Sequence, residues 1–268
     1  MIYVVDDLGR EISFERLPER IVSLVPSLTE TACTFGQSHR LVGATRHCTQ
    51  PATGLERLAR VGGTKNPDID AITALRPDLV LVNAEENRRE DFDKLVQNGI
   101  AVVVTYPRRA ADVPALLRLL GTVLGADACA DAAAIELERT LALYSTTEAR
   151  WRAFCPVWKN PWMSFNGETY ADDLLSLVGA SNIFRTRPQR YFEVSLDEVA
   201  VALPDVILLP DEPYVFRRKD LPALAPLAST PALRSDRVHF VDGKALFWFG
   251  TRTSAALAYL RAVLERTE

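Results

Sequence analysis

The sequence has few cysteines and histidines, no long apolar run and no strong excess of either charge. Its 268 residues include four cysteines and three histidines, and the formal net charge is −4. The cysteines are widely spaced and form no C-x-x-C pair, which argues against a disulfide framework or a structural zinc site. The acidic balance argues against a nucleic-acid partner, and no segment reaches the roughly 18 apolar residues that a membrane helix needs. With 48% hydrophobic residues, the chain is expected to bury a sizeable core.

Motifs of the common catalytic families are also missing. The chain has no G-x-S-x-G elbow, P-loop, G-x-G-x-x-G fingerprint or H-E-x-x-H pair. No secretory signal is visible, because Met1-Ile2-Tyr3 leads directly into Val4-Val5-Asp6-Asp7. The missing motifs lead us to expect a protein that catalyses nothing. The missing signal leaves both an extracytoplasmic and a cytoplasmic location open.

Strand and helix signals alternate along most of the chain, which is typical of an α/β fold. A hairpin is predicted over Tyr3–Val5 and Glu11–Phe14, with turn residues between them. Ser27 and Glu30 match a capping box that would open a helix ending near Gly36. Cys33 and Cys129 lie among apolar helical neighbours, so both thiols are predicted to be buried.

One segment departs from this alternation. Ala126–Arg152 contains neither glycine nor proline and predicts a single helix of about 25 residues. After it the alternation resumes, with a strand predicted over Val157–Ser164. The sequence thus predicts two Rossmann-like α/β lobes with mainly parallel sheets, over 1–124 and 153–268, joined by one long backbone helix over 125–152.

An internal repeat supports two related lobes. Residues 68–86 align without a gap with residues 195–213, at a constant offset of 127 positions that superimposes Asp70 on Asp197. Each copy reads as a short helix, a Pro-Asp break, a buried apolar strand and a loop that carries a glutamate, Glu85 or Glu212. Because ligand sites in α/β proteins form beyond the carboxyl ends of the strands, both glutamates are expected near a ligand.

The loops after the predicted strands combine large aromatic rings with a few charges, which suits a bulky and partly planar ligand. His47 and Cys48 are adjacent soft ligands, but neighbours on an extended chain point apart, so we favour a polar lining and leave direct metal ligation open. The predicted ligand-binding residues are His47, Cys48, Glu85, Glu86, Arg88, Trp162, Tyr170, Tyr191, Glu212, Tyr214, Arg217, Trp248 and Arg252.

Several segments together resemble the substrate-binding proteins of ABC importers for vitamin B12, haem and iron–siderophores, whose two lobes are bridged by one helix. The resemblance covers nearly the whole chain and looks closest to the cobalamin-binding branch. Its segments are residues 6–10 (DDLGR), 20–30 (RIVSLVPSLTE), 41–43 (LVG), 61–63 (VGG), 74–80 (ALRPDLV) and 179–184 (GASNIF).

The resemblance implies a monomeric receptor that takes a metal chelate into the cleft between its lobes and delivers it to an ABC permease. It implies an extracytoplasmic location, no covalent cofactor, no nucleic-acid partner and no insertion into the membrane. The family's docking glutamates correspond to Asp70 and Asp197, and an aromatic position of the B12 receptor corresponds to His47.

Two alternatives remain beside the importer receptor. One is a cytoplasmic enzyme or chelate-handling protein on the same scaffold, and the other is an adaptor that uses only the lobe surfaces.

Overall fold

The computed structural model describes residues 1–144 and 148–266. Strands and helices alternate in chain order. The strands are β1 (Ile2–Val5), β2 (Glu11–Phe14), β3 (Ile21–Ser23), β4 (Leu41–Ala44), β5 (Ala59–Arg60), β6 (Leu79–Asn83), β7 (Val102–Thr105), β8 (Trp151–Phe154), β9 (Met163–Phe165), β10 (Ala180–Asn182), β11 (Tyr191–Glu193), β12 (Val206–Pro210) and β13 (Val238–Val241). The helices are α1 (Pro26–Thr34), α2 (Ile69–Ala74), α3 (Arg89–Gln97), α4 (Val113–Leu124), α5 (Asp127–Tyr144), α6 (Tyr170–Leu177), α7 (Leu196–Val201), α8 (Pro231–Arg234), α9 (Gly243–Phe247) and α10 (Thr253–Glu265).

The chain divides into two compact units. Unit 1 comprises Met1–Pro107, Asp112–Glu138 and Phe249–Thr251, and unit 2 comprises Arg108–Ala111, Arg139–Trp248 and Arg252–Glu268. The division falls inside α5. Among the described residues, no helix combines the length and the apolar character that spanning a membrane requires.

A five-stranded parallel sheet forms the centre of unit 1, with the strand order β5-β4-β3-β6-β7. Every residue of β6 and β7 is buried, as expected for a parallel sheet that is covered on both faces. Side chains from the strands and from α2 and α3 share one apolar cluster that includes Val22, Ile72, Val80 and Leu95.

The predicted N-terminal hairpin is confirmed, with β1 and β2 antiparallel. Its turn is attached to the sheet of unit 1, because Asp7 N donates to Val104 O of β7 at 3.1 Å. The carboxylate of Asp6 accepts hydrogen bonds from the backbone N–H groups of Leu8, Arg10 and Val104. It also forms an ion pair with the Arg10 guanidinium.

Unit 2 contains a four-stranded parallel sheet in the order β10-β8-β12-β13, and a separate antiparallel pair, β9 and β11. If β8 and β12 are taken as the counterparts of β3 and β6, the four strands match the order β4-β3-β6-β7 of unit 1. Phe154, Val199, Ile207 and Leu224 lie in the core beneath α7. The prediction of an α/β chain with mainly parallel sheets is confirmed.

The repeat holds residue by residue in the structure. Asp68 caps α2 through Ala71 N, and Ser195 caps α7 in a capping box with Glu198. Both helices are six residues long, and both are followed by a residue in the left-handed region, Arg76 and Leu203, each at φ 48°. That turn redirects the chain into β6 and β12, which begin and end at equivalent positions.

The structure also explains the Pro-Asp break of the repeat. Asp78 Oδ2 accepts hydrogen bonds from the backbone N–H groups of Glu19 and Arg20 at 2.9 and 3.0 Å. Asp205 Oδ2 accepts one from Arg152 N at 2.9 Å. In each unit the aspartate therefore holds the start of the neighbouring strand in register, a contact between distant residues that the sequence does not show.

Helix α5 is shorter than the helix predicted over Ala126–Arg152. It ends at Tyr144, residues 145–147 lie outside the described part of the chain, and Trp151 and Arg152 belong to β8. An aromatic residue fits a pleated sheet well, and Trp151 pairs with Ala180 of β10. Sheet pairing therefore overrides the helix propensity of the preceding segment at its C-terminal end.

Three further predictions were wrong. Of the strand predicted over Val157–Ser164, only Met163 and Ser164 are in a strand, β9. Residues 157–162 form the turn before it, with Val157 N and Met163 N bonded to Met163 O and Trp158 O. Ser27 does not cap α1, since Pro26 already occupies the first turn and Val25 is the N-cap. Cys129 is exposed and Cys33 half-buried, because neither side chain lies on the face of its helix that packs most closely.

Candidate functional site

In unit 1, the loops that follow β3, β5 and β6 are bound to one another at the carboxyl edge of the sheet. Asn87 Nδ2 donates to Thr64 O at 2.9 Å and Leu24 O at 3.4 Å. Asn87 Oδ1 accepts from Asn83 N, and Lys65 Nζ donates to Glu85 O at 2.6 Å. These hydrogen bonds hold the loops at this edge of the sheet in place relative to one another.

Three predicted ligand residues lie on the loop after β6. The backbone N–H groups of Glu85 and Glu86 donate to Asn83 Oδ1 at 2.8 and 3.1 Å, and both glutamates are half-buried. Arg88 is exposed at the start of α3. The loop thus presents both signs of charge beside β6.

His47 and Cys48 lie in different environments although they are adjacent. His47 is exposed, and partial burial together with Arg46 lowers its pKa. The Cys48 thiol is fully buried, where it accepts a hydrogen bond from Thr29 Oγ1 at 3.1 Å and lies 3.3 Å from Thr45 Oγ1. Burial raises the pKa of this thiol. Cys48 is therefore a packed residue beneath the loop, and its prediction as a lining residue is corrected.

Aromatic side chains dominate the corresponding edge of unit 2. Trp162 stacks on Phe216 with ring centroids 5.7 Å apart and an angle of 14° between the planes. Tyr214 packs against Phe216 at 4.6 Å and meets Trp158 edge-on at 5.6 Å. We call Trp158, Trp162, Tyr214 and Phe216 the aromatic platform.

An ion pair fixes the platform from one side. Lys159 Nζ donates to Asp220 Oδ1 at 2.6 Å, and Arg217 N donates to Asp220 Oδ2 at 2.9 Å. The hydrogen bond from Lys159 is the main reason why the pKa of Asp220 is lowered. The Arg217 side chain itself is exposed, so its head group remains accessible.

Glu212 lies at the end of β12 against the start of α9. A Cβ atom on Gly243 would come within 2.6–2.8 Å of Glu212 Cγ, O and N, so only glycine permits this approach. Burial raises the pKa of Glu212, opposed by Lys244 and by a hydrogen bond from the Trp248 indole. The Arg252 guanidinium lies 5.3 Å from the Trp248 ring centroid, so Glu212, Trp248 and Arg252 form one group.

The remaining predicted residues differ in exposure. Tyr191 is 42% exposed at the start of β11. Trp248 is only 7% exposed, with most of its ring in the core. Tyr170 is buried and shares a hydrogen bond with Thr253 Oγ1 at 2.9 Å. Its hydroxyl is satisfied inside unit 2, so the prediction that Tyr170 contacts ligand is corrected.

Sequence reasoning missed Asn83, Asn87, Lys159 and Asp220. Asn83 matches Pro210 in the repeat, so the alignment of the two copies gives no reason to select it. Lys159 and Asp220 are 61 positions apart and meet only through the fold. Among residues 1–144 and 148–266, no three His, Cys, Asp or Glu side chains are grouped so that they could hold a metal ion.

The fold and these loops can be compared with known proteins. The model of the periplasmic binding protein family matches residues 21–245. The chain belongs to this family. Its relatives are substrate-binding proteins and not enzymes, which confirms the expectation that the chain is not an enzyme. The molybdate periplasmic binding protein MolA of Haemophilus influenzae, described as cognate to an ABC transporter, shares the fold at 19% identity, with a TM-score of 0.82 and coverage of 98% and 91% of the two chains.

Several relatives of this periplasmic binding protein carry names that state a ligand. A vitamin B12-binding protein of Pectobacterium carotovorum is 29% identical over 202 residues, which are 74% of this chain and 73% of the relative. The periplasmic vitamin B12 binding protein BtuF of Vibrio cholerae shares the fold, with a TM-score of 0.81, 23% identity and coverage of 93% and 98% of the two chains. The haem-binding protein RhuT of Roseiflexus sp. RS-1 gives a TM-score of 0.82 at 23% identity, with the same coverage of each chain.

The raised pKa of Glu212 predicts that this residue lowers the stability of unit 2 at neutral pH. A carboxylic acid whose pKa is raised by folding favours the fold below its unfolded pKa, and this contribution is lost as the pH rises through the folded pKa. Glu212→Gln should therefore be more stable than the parent protein at pH 7. The difference should vanish below pH about 4, where an unfolded glutamic acid is protonated as well.

Denaturation at both pH values, followed by tryptophan fluorescence, measures this effect because all four tryptophans lie in unit 2. Glu193→Gln, at an exposed position of the same unit, is the matched control. A variant that is less stable than the parent at pH 7 would refute the prediction.

Proposed function

We propose that this protein is a solute-binding receptor that captures a metal chelate and delivers it to an ABC importer. Membership of the periplasmic binding protein family is the observation that carries the proposal. The chelate is cobalamin-like, a haem or an iron–siderophore. The relatives named for vitamin B12 and haem support this ligand class.

The chemistry of the loops suits a large ligand with a flat face and a polar periphery. In unit 2, the aromatic platform and the exposed Tyr191 offer ring surfaces, which bind flat apolar groups well. In unit 1, Arg88 is exposed at the end of the loop that carries the half-buried Glu85 and Glu86, and Arg46 is exposed on the loop after β4. Such charged groups can bind carboxylates, amides or phosphate at the edge of a chelate.

Isothermal titration calorimetry with cyanocobalamin, cobinamide, haem and a ferric siderophore tests the ligand class. We expect one of them to bind with a micromolar or tighter dissociation constant. Tyr191→Ala should weaken that binding about tenfold, because the ring is exposed and we propose that it contacts the ligand. Tyr3→Ala, which removes an exposed tyrosine from the N-terminal hairpin, should leave it unchanged. Failure to bind any of the four would refute the chelate proposal.

Delivery to the importer is assigned to Asp70 and Asp197. Both carboxylates are exposed, and they occupy equivalent positions in the first turn of α2 and of α7. Asp70 also borders a surface hollow of about 460 Å³ that Lys94, Gln97 and Asn98 help to line. Basic side chains of the permease are the expected partners of the two carboxylates.

A further inference from the structure

The outer face of α7 combines a carboxylate with exposed apolar side chains. Val199 and the partly buried Leu196 and Ala200 pack into the core of unit 2. Asp197 and Val201 are four positions apart and therefore lie on the same side of the helix, away from that core. Val201 is 83% exposed, and among the large apolar side chains of the described residues only Met1 is more exposed.

Leu203 adds a second apolar side chain directly after the helix, and it is 46% exposed. Its φ of 48° lies in the left-handed region, which glycine or asparagine adopts more easily than leucine. Neither exposure nor backbone geometry therefore favours leucine at this position. We call Val201 and Leu203 the apolar pad.

Unit 1 shows what the same positions look like without a pad. In the alignment of the repeat, Ala74 corresponds to Val201 and Arg76 corresponds to Leu203. Ala74 and Arg76 are both exposed. Arg76 has the same φ of 48°, so the backbone does not require an apolar residue there. The helix does not require valine either, since alanine is the better helix former. The pad is thus a property of the unit 2 surface and is not required by the fold of the repeat.

We propose that the apolar pad belongs to the docking surface of unit 2, so that the two docking surfaces of this protein are chemically different. This inference rests on the proposed function. Glu198 is engaged by Ser195 and Arg187, whereas the exposed Asp197 offers its charge to a partner. The permease surface that meets α7 therefore carries a basic side chain for Asp197 and an apolar side chain for Val201 and Leu203. The surface that meets α2 carries the basic side chain without this apolar contact.

If two apolar side chains are buried on docking, making them polar should cause a large loss of affinity for the permease. The double variant Val201→Gln with Leu203→Asn should bind the permease–ATPase complex of the same genome, reconstituted in nanodiscs, at least about tenfold more weakly. Glutamine is a good helix former and asparagine tolerates the left-handed region, so the variant should be folded and at least as stable as the parent. Thermal unfolding followed by tryptophan fluorescence checks this point.

The matched control is the double variant Ala74→Gln with Arg76→Asn at the equivalent positions of unit 1. It should leave docking unchanged or tighten it slightly, because removal of a positive charge beside Asp70 favours a basic partner. If both double variants dock like the parent, the apolar pad is not part of the interface and the inference is overturned.

Charge reversal separates that outcome from failure of the proposed function. Asp70→Arg with Asp197→Arg should abolish docking whether or not the pad takes part. If charge reversal abolishes docking and the pad variant does not weaken it, the receptor proposal stands and the pad inference falls. If charge reversal has no effect, the assignment of docking to Asp70 and Asp197 is wrong and the pad inference fails with it, whereas chelate capture is decided separately by the calorimetry.

Discussion

Asp6→Asn should lower the free energy of unfolding of unit 1 by about 3 kcal/mol, because it breaks an ion pair whose carboxylate is buried and leaves a buried hydrogen-bond donor without an acceptor. The Asp6 side chain is fully buried and receives three backbone N–H groups as well as the Arg10 guanidinium. An asparagine oxygen can still accept from Leu8 and Arg10, but its NH₂ group then faces Val104 N–H. The substitution therefore loosens the attachment of the hairpin to β7.

Denaturation followed by far-ultraviolet circular dichroism measures the change. Tryptophan fluorescence recorded in parallel reports unit 2 alone, which contains all four tryptophans. Glu15→Gln makes the same chemical change at an exposed position after β2 and should cost little. A loss below about 1 kcal/mol for Asp6→Asn would show that the turn is not held by its carboxylate.

Gly121→Val should destabilise unit 1 by about 3 kcal/mol through overpacking. Gly121 lies in the last turn of α4, and a Cβ atom there would overlap the methyl group of Ala130. Gly125 makes the turn at φ 69°, and Ala126 N donates to Gly121 O at 2.8 Å. A larger side chain at position 121 must therefore push the two helices apart and break this connection.

Ala115→Val is the matched control, since it introduces the same β-branched residue at an exposed position of α4. It should cost only about 0.5 kcal/mol of helix propensity. In a second comparison, Ala130→Gly removes the methyl group that a side chain at position 121 would overlap. Gly121→Ala combined with Ala130→Gly should therefore be more stable than Gly121→Ala alone. Equal losses at positions 115 and 121 would contradict the overpacking argument.

The sequence predicts most of the fold because the signals for its elements are local. Asp68 and Ser195 cap their helices through neighbouring residues, and the apolar runs of β6 and β12 have the length and composition of buried parallel strands. The end of the long helix is not predicted, because Trp151 joins a sheet whose partner strand, β10, begins at Ala180. Pairing between distant segments decides that boundary.

The candidate site is predicted less well than the fold, for the same physical reason. The strand pattern predicts the loops that carry Glu212, Tyr214 and Trp162. It does not predict how deeply each of these side chains is buried. Cys48 and Tyr170 are polar residues in promising loops or helices, yet both are satisfied inside the core by threonine hydroxyl groups. The Lys159–Asp220 pair that fixes the aromatic platform joins two segments with no sequence signal in common.

The repeat at an offset of 127 positions has an evolutionary consequence. If the two segments descend from a duplicated ancestral gene segment, comparing them within this chain is equivalent to aligning two homologous sequences. The paired aspartates at positions 78 and 205 and the paired left-handed residues at 76 and 203 then mark what the ancestral half needed in order to fold. Positions where the copies diverge, such as Asn83 and Pro210, mark where each half has since acquired a separate function.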